Sequence, residues 1–336
     1  DVAYEKPLDT NAAVTRAFAN AFLYTGDEAY LDPALDAVGF LTDDLWTGYG
    51  VGGSLGPGLG RAYYAAPAAD RADLDDPRRD LTVFAGGNAL AADALLAVAA
   101  YTDDERAREY ADRTLDGLER DLIDADSGEV TRYRGSDGAG ETDLLEDAAR
   151  VVGAYVRAAG VLGEGTDVAR AVADRAIDRL HVDGSFVDGP RSGAGLLDRS
   201  FRPLDANVEM ASSLLDLAAL TGEERYREVA RETAEAFAGA TDRLSVQVAD
   251  YGSLAARLRR GTTVIAVGTE PGSDLHRAAW RVADHEKVIA PNAHVADAPA
   301  PRTVPEGAAV VLAGDEASEP AETPDELMDR VGDVLA

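Results

Sequence analysis

Carboxylates and amides recur in this chain at matched places. Asp9 and Asn11 stand in KPLDTNAAVTRAFANAFLYTGDEAY, and Asp205 and Asn207 stand in RPLDANVEMASSLLDLAALTGEERY. The two stretches align without a gap, from Lys6 and from Arg202, at an offset of 196 residues. Asn88 opens a third copy, NALAADALLAVAAYTDDERAREYA, and Glu146 with Asp147 opens a fourth, LLEDAARVVGAYVRAAGVLGEGTDVARAVADRAIDRL. If helices begin here and their starts gather at one mouth, Asp9, Asp147 and Asp205 are candidate catalytic carboxylates. A pair of them would act as general acid and base on a glycosidic bond. Asn11, Asn88 and Asn207 would bind the substrate beside them. A structural role competes with this. Asp and Asn are favoured N-caps, whose side chains accept from the free N–H groups at a helix start. Every helix needs a cap and no reaction needs four copies, so repetition favours capping, with one carboxylate free to do both.

Trp46, Tyr63 and Tyr64 cluster in a chain where only 6% of residues are aromatic. Flat aromatic faces beside carboxylates suit sugar rings; the same rings could instead plug the mouth. The histidines are His181, His276, His285 and His294, and none opens a repeat. No HExxH occurs, and neither a metal nor a cofactor is expected. VGTEPGSDLH stands between a strand and a helix but is neither GxGxxG nor a Walker loop, and its acids would repel phosphate.

The elements that must position these residues follow from periodicity. After PLDTN, Val14, Ala17, Phe18, Ala21 and Phe22 fall on one helical face, and Tyr30, Ala34, Ala37, Val38 and Leu41 fall on a second. The later copy gives Met210, Leu214, Leu217 and Ala218, then Tyr226, Ala230, Thr233 and Phe237. Each copy is thus a helix hairpin, with Gly26 and Gly222 suited to end the first helix in the left-handed region. Pro33 suggests that the second helix of copy one starts late, with the proline at N1 after Asp32. Starts at 11, 88, 147 and 207 are 77, 59 and 60 residues apart. A period near 60 with long connections fits a closed ring, first helices inside and second helices outside. Such a ring has six hairpins, so its beginning is expected before Asp1. The glycine-rich GYGVGGSLGPGLG and the charged DRADLDDPRRD read as one long loop.

Beyond about Thr241 the pattern changes. A closing helix is expected over Val246–Arg260, then strands in TTVIAVG, KVIAPN and AAVVLAG. SDLHRAAWRVADH is a helix capped by Ser273. TPDELMDRVGDVLA is another, with Thr323 as N-cap and Pro324 at N1. The predicted fold is mostly α: an (α/α)6-type toroid of helix hairpins, incomplete at the N-terminus, over residues 1–243, then a closing helix and small α/β module over 244–336.

The chain has 62 acidic against 32 basic residues, a formal charge of −30, and every base except Lys6 and Lys287 is arginine. So acidic a surface suits either a strongly basic partner or high salt; acids spread along the whole chain, with lysine nearly absent, favour a halophilic protein whose self-repulsion is screened by salt. Nucleic acid is excluded as a partner because no basic stripe exists. The absence of cysteine excludes thiol chemistry and thiolate ligation. No apolar run approaches the ~20 residues of a membrane span, and a cytoplasmic location is expected.

In order along the chain, YEKPLDTNAAVTRAFANAFLYTGDEAY, FAGGNALAADALL, LLEDAARVVGAYV, RPLDANVEMASSLLDLAALTGEERY and the tail segments TTVIAVGTEPGSDLH and AAVVLAGDEASEPAETPDEL resemble the thioredoxin-domain proteins of the spermatogenesis-associated protein 20 type. That resemblance implies a thioredoxin-like domain upstream, followed by a toroid of the six-hairpin glycosidase type. It supplies no settled activity. It leaves two functional expectations: carbohydrate binding or glycoside processing through the inner carboxylates, or a non-catalytic scaffold that docks the thioredoxin-like domain or a client protein. The chain departs from the family at AGGN, where a Trp is replaced, at PLDAN, where a Ser is absent, and in the tail, where two cysteines are missing.

Overall fold

The computed structural model describes residues 4–56, 60–135, 138–190, 200–239, 249–295 and 300–335. The chain forms two compact units. The first runs to Ile123 and includes Thr131–Glu141; the second takes Asp124–Val130 and everything from Thr142. The expected boundary between residues 243 and 244, and the expected helix start at Val246, lie outside the described residues.

The first unit holds helices α1 (Leu8–Thr25), α2 (Glu28–Gly39), α3 (Gly60–Ala65), α4 (Ala85–Thr102) and α5 (Glu105–Asp121). α1 packs on α2 and on α4, and α4 packs on α5. α4 is buried all round except at Leu90 and Thr102, as its run of alanines and leucines requires. Leu8, Ala12, Leu41, Leu45, Val51, Leu55, Ala91 and Ala94 form one apolar cluster. The stretch expected as a plain loop carries structure: α3 begins in it, and its strands Ser54–Leu55 and Arg79–Asp80 join Lys6–Pro7 in a three-stranded ladder; a π-helical turn at Phe40–Asp44 precedes it.

The second unit begins with α6 (Leu145–Leu162), α7 (Thr166–Leu180), α8 (Leu204–Thr221) and α9 (Glu224–Phe237), paired α6 with α7 and α8 with α9. α6 packs on α8, so in each unit first helix meets first helix. Next come α10 (Ala249–Arg260), α11 (Asp274–Trp280) and α12 (Pro324–Leu335). Strand Val264–Val267 pairs in parallel with Val288–Ala290, crossed over by α11, and antiparallel with Ala309–Ala313. Glu316–Ala317 adds a short edge. α12 packs on Ala309–Ala313 and on α11. Strand Val288–Ala290 rests against α6 and α8.

All four hairpins turn through a left-handed residue: Gly26 (φ 66°), Asp103 (φ 60°), Gly163 (φ 85°) and Gly222 (φ 75°). Each donates its N–H to the carbonyl four residues back, and Asp is one of the few side chains that tolerates this region. Thr25, Thr102 and Thr221 end their helices with the hydroxyl bonded back to Ala21, Val98 and Leu217 at 2.8, 2.7 and 2.7 Å. Each hydroxyl also accepts the N–H two residues on, at 3.2 to 3.3 Å. The Thr before three of the four turns is therefore a fastening across it; Leu162 stands in that place before Gly163. Asp27 and Asp104 then cap the next helix.

Three expectations are corrected. α2 starts at Glu28, not after Asp32, and holds Pro33 inside it; the carbonyl that Pro33 leaves without a helical donor belongs to exposed Ala29, on the solvent side of the helix. The buried line of α1 is Leu8, Ala12, Thr15 and Ala19, whereas Val14 is 41% exposed. α1 has two apolar stripes, and periodicity alone does not choose between them. Further on, α11 ends at Trp280, short of the expected His285, with Ser273 as its cap and Thr323 accepting from Glu326 at α12. No helix of the described residues is long and apolar enough to cross a membrane.

Candidate functional site

The starts of the four first helices are built alike, but not on the expected caps. The N-cap residues are Pro7, Phe84, Leu144 and Pro203, and none caps through its side chain. Asn11, Asn88 and Asn207 occupy the fourth helical position. Each turns its Nδ2 back to the N-cap carbonyl: to Pro7 at 2.7 Å, Phe84 at 3.0 Å and Pro203 at 2.8 Å. Asn88 and Asn207 are 0% exposed, and each also grips a distant extended residue. Asn88 accepts from the N–H of Val51 at 2.7 Å and donates to its carbonyl at 2.9 Å. Asn207 does the same to Phe186 at 2.8 and 3.0 Å. A side-chain amide here stands in for a neighbouring strand, satisfying backbone groups that burial would otherwise leave unpaired. Both Nδ2 hydrogens of Asn88 and Asn207 are used on backbone carbonyls.

The carboxylates lie one or two residues into these helices. Asp9 and Asp205 are at the second position and exposed, while Asp147 is at the third and 4% exposed. All three sit where the positive end of the helix dipole stabilises an anion. Asp205 Oδ1 accepts from Ala206 N–H at 2.9 Å. Asp9 Oδ1 would lie 3.0 Å from a Cβ on Gly87, so the glycine of α4 makes room for it.

Charged groups stand beside them, and except for Glu146 the repeat pattern does not single them out. In the first unit Arg16 of α1 meets Asp93 of α4 at 2.9 Å. In the second, Arg150 of α6 meets Glu146 at 2.8 Å and Glu209 of α8 at 3.5 Å. Asp143, just before α6, has φ 57° and is buried, and accepts from Arg175 at 2.5 and 3.2 Å. Apart from Arg150–Glu146, one helical turn apart, these pairs join residues far apart in sequence.

The expected sugar platforms fall into two clusters. Trp46 makes an edge contact with Tyr110 of α5 at 4.9 Å, with the Arg113 guanidinium 4.7 Å over its ring. Tyr63 and Tyr64 meet edge to face at 5.1 Å, and Tyr64 also stacks on Tyr4 at 6.4 Å. Lys6 lies 4.8 Å over Tyr64, and Arg71 lies 5.7 Å over Tyr63. Each expected platform therefore carries one of the chain's own cations. Burial raises the Tyr64 pKa above the usual phenol value, aided by Tyr63 and Asp44. His181 stands against Phe186 at 4.9 Å, and burial pulls its pKa below the usual imidazole value. Among the described residues, no group of three or more His, Asp or Glu could hold a metal ion.

No protein-family model matches the sequence, and no curated protein does. Solved structures match in fold. Cellobiose 2-epimerase from Spirochaeta thermophila DSM 6192 superposes with a TM-score of 0.58 at 20% identity, over 72% of this chain and 61% of that one. Cellobiose 2-epimerase from Bacillus thermoamylovorans B4167 gives 0.56 at 15%, over 70% and 62%. The family 76 glycoside hydrolase (mannosidase) Bt3792 from Bacteroides thetaiotaomicron VPI-5482 gives 0.51 at 15%, over 69% and 59%. The chain thus spans about three fifths of the length of the solved structures it matches. Taken with its helix hairpins and its terminal sheet, this likeness gives the chain a mostly α fold of the α/α toroid type with a small α/β module.

Proposed function

We propose that this chain is a carbohydrate-binding or glycoside-processing toroid, part of a larger protein of the thioredoxin-domain type with a thioredoxin-like domain upstream. The observation that carries the reading is a pairing of fold and placement. The fold is that of cellobiose epimerases and a family 76 mannosidase, and Asp9, Asp147 and Asp205 all stand in the first turns of first helices. A glycosidic bond is broken when one carboxylic acid gives its proton to the leaving oxygen and a carboxylate activates water or attacks. Asp147 and Asp205 are our candidates in the second unit, with Asp9 as the corresponding group in the first. Asn11, Asn88 and Asn207 support the site by fixing the helix starts. Trp46, Tyr63 and Tyr64 would meet sugar only where their covering cations move aside. A cytoplasmic, high-salt setting belongs to the same proposal, on the strength of the acidic surface.

The test is thermal stabilisation by cello- and manno-oligosaccharides, with the chain as described and with Asp147→Asn and Asp205→Asn. A ligand at 100 times its Kd adds about 2.7 kcal/mol of stability, a shift of several degrees. No shift with any sugar would end this reading. The scaffold reading is favoured by one observation: arginine or lysine already lies over Trp46, Tyr63 and Tyr64. It predicts that the chain binds a separately produced thioredoxin-like domain while remaining indifferent to sugars.

A further inference from the structure

Phe201 is 68% exposed, more than any other large apolar side chain among the described residues. A lone exposed apolar residue is ordinary; the setting of this one is not. Its backbone is held on both sides by Asp188. Phe201 N–H donates to Asp188 Oδ1 at 3.0 Å, and Asp188 N–H donates to the Phe201 carbonyl at 2.9 Å. Asp188 in turn accepts from the N–H of Leu145, the first residue of α6, at 3.0 Å. Phe201 is therefore tethered to the start of α6, three residues ahead of the start of α8.

The two carboxylates proposed to act on sugar flank it by the same connections. Asp147 is two residues beyond Leu145, and Asp205 is four residues beyond Phe201. Four residues span at most about 14 Å when fully extended, so ring and carboxylates share one end of the α6–α8 pair. An exposed phenyl ring on a fixed backbone, at the helix end that carries the exposed Asp205 and the largely buried Asp147, matches the two faces of a pyranose. The ring meets the apolar C–H face, and the carboxylates meet the hydroxyls.

We infer that Phe201 is a sugar-stacking residue, the apolar floor of a subsite whose polar wall is Asp147 and Asp205. The inference rests on the carbohydrate reading above and adds to it a residue that makes ligand contact. Among the described residues, no cation lies over the Phe201 ring, in contrast to Trp46, Tyr63 and Tyr64.

Two variants test it. Phe201→Ala should leave the melting temperature of the free protein unchanged, since the side chain is exposed, and should weaken cellobiose or mannobiose binding about tenfold. Phe201→Trp should keep the binding and add an exposed indole to Trp46 and Trp280, whose emission moves to shorter wavelength on adding sugar. Alanine binding as tightly as phenylalanine, or bound sugar leaving the new indole unmoved, would overturn the inference and spare the carbohydrate reading. A chain with Phe201 intact that binds no sugar would sink both. A change in oligomeric state caused by Phe201→Ala, with sugar binding intact, would make the ring a protein contact instead and overturn the inference.

Discussion

Asn207 reaches 21 residues back along the chain and closes two hydrogen bonds on Phe186, one donated and one accepted. Asn88 does the same to Val51 across 37 residues. Each amide thereby fixes where a loop strand lies against the start of a first helix.

Replacing Asn207 by Ala should cost about 2–5 kcal/mol, because the N–H and C=O of Phe186 lose their partner and each such buried group costs about 1–3 kcal/mol. Asn207→Asp should be as harmful near neutral pH, since a carboxylate cannot donate to Phe186 or Pro203. Urea unfolding measures this directly. A loss under 0.5 kcal/mol would mean that the amide merely fills space.

Gly160 is where α6 receives the strand and the α11 segment. A Cβ there would stand 2.8 Å from Trp280 Cζ2 and 3.0 Å from the Ile289 carbonyl. Gly160→Ala should therefore destabilise by about 1–3 kcal/mol through overpacking and shift the emission of the buried Trp280 toward that of exposed indole. Unchanged stability and emission together would contradict the close packing.

Lys287 is 5% exposed, donates to the Asp284 carbonyl at 3.0 Å and lies 5.3 Å over Trp280. Burial, with Arg157 nearby, lowers its pKa from 10.5 to about 7. The unfolded chain then holds the proton more tightly than the folded one. Stability contributed by this group is lowest below about pH 7 and rises between about 7 and 10.5, by up to about 1.4 kcal/mol per pH unit. Lys287→Met should remove that slope and stabilise the protein at pH 7. Parallel stability–pH curves for the two proteins would refute the assignment.

With a formal charge of −30, repulsion at the surface should dominate at low ionic strength. The Debye length falls from about 10 Å at 0.1 M to about 3 Å at 1 M salt. Raising potassium chloride from 0.1 to 2 M should lift the melting temperature by several degrees. A flat or falling melting temperature would argue against adaptation to salt.

The hairpins were legible because their signals are local. The Thr before three of the four turns, the left-handed Gly or Asp and the caps at Ser273 and Thr323 act within a few residues of themselves. Asn88 and Asn207 were visible as repeated residues but not as clasps, because Val51 and Phe186 lie 37 and 21 residues away and carry no mark of being gripped. The same residues looked like caps because the caps themselves, Pro7, Phe84, Leu144 and Pro203, have no capping side chain. Trp46 is visible in sequence as part of an aromatic cluster, but its partner Tyr110 of α5 lies 64 residues on. Phe201 stands two residues ahead of PLDAN, before Arg202, in a chain with only seven phenylalanines.

One carbonyl near the end of α6 carries more than its helix asks of it. The oxygen of Gly160 meets both His276 Nε2 at 2.8 Å and Trp280 Nε1 at 3.2 Å. The last carbonyls of a helix have no donor within it, so α11 completes α6 from a distance of more than a hundred residues. The terminal segment is thus no detachable appendage. Cut away after α9, the chain would lose the donors that close α6, and amide hydrogens in the last turn of that helix would exchange first.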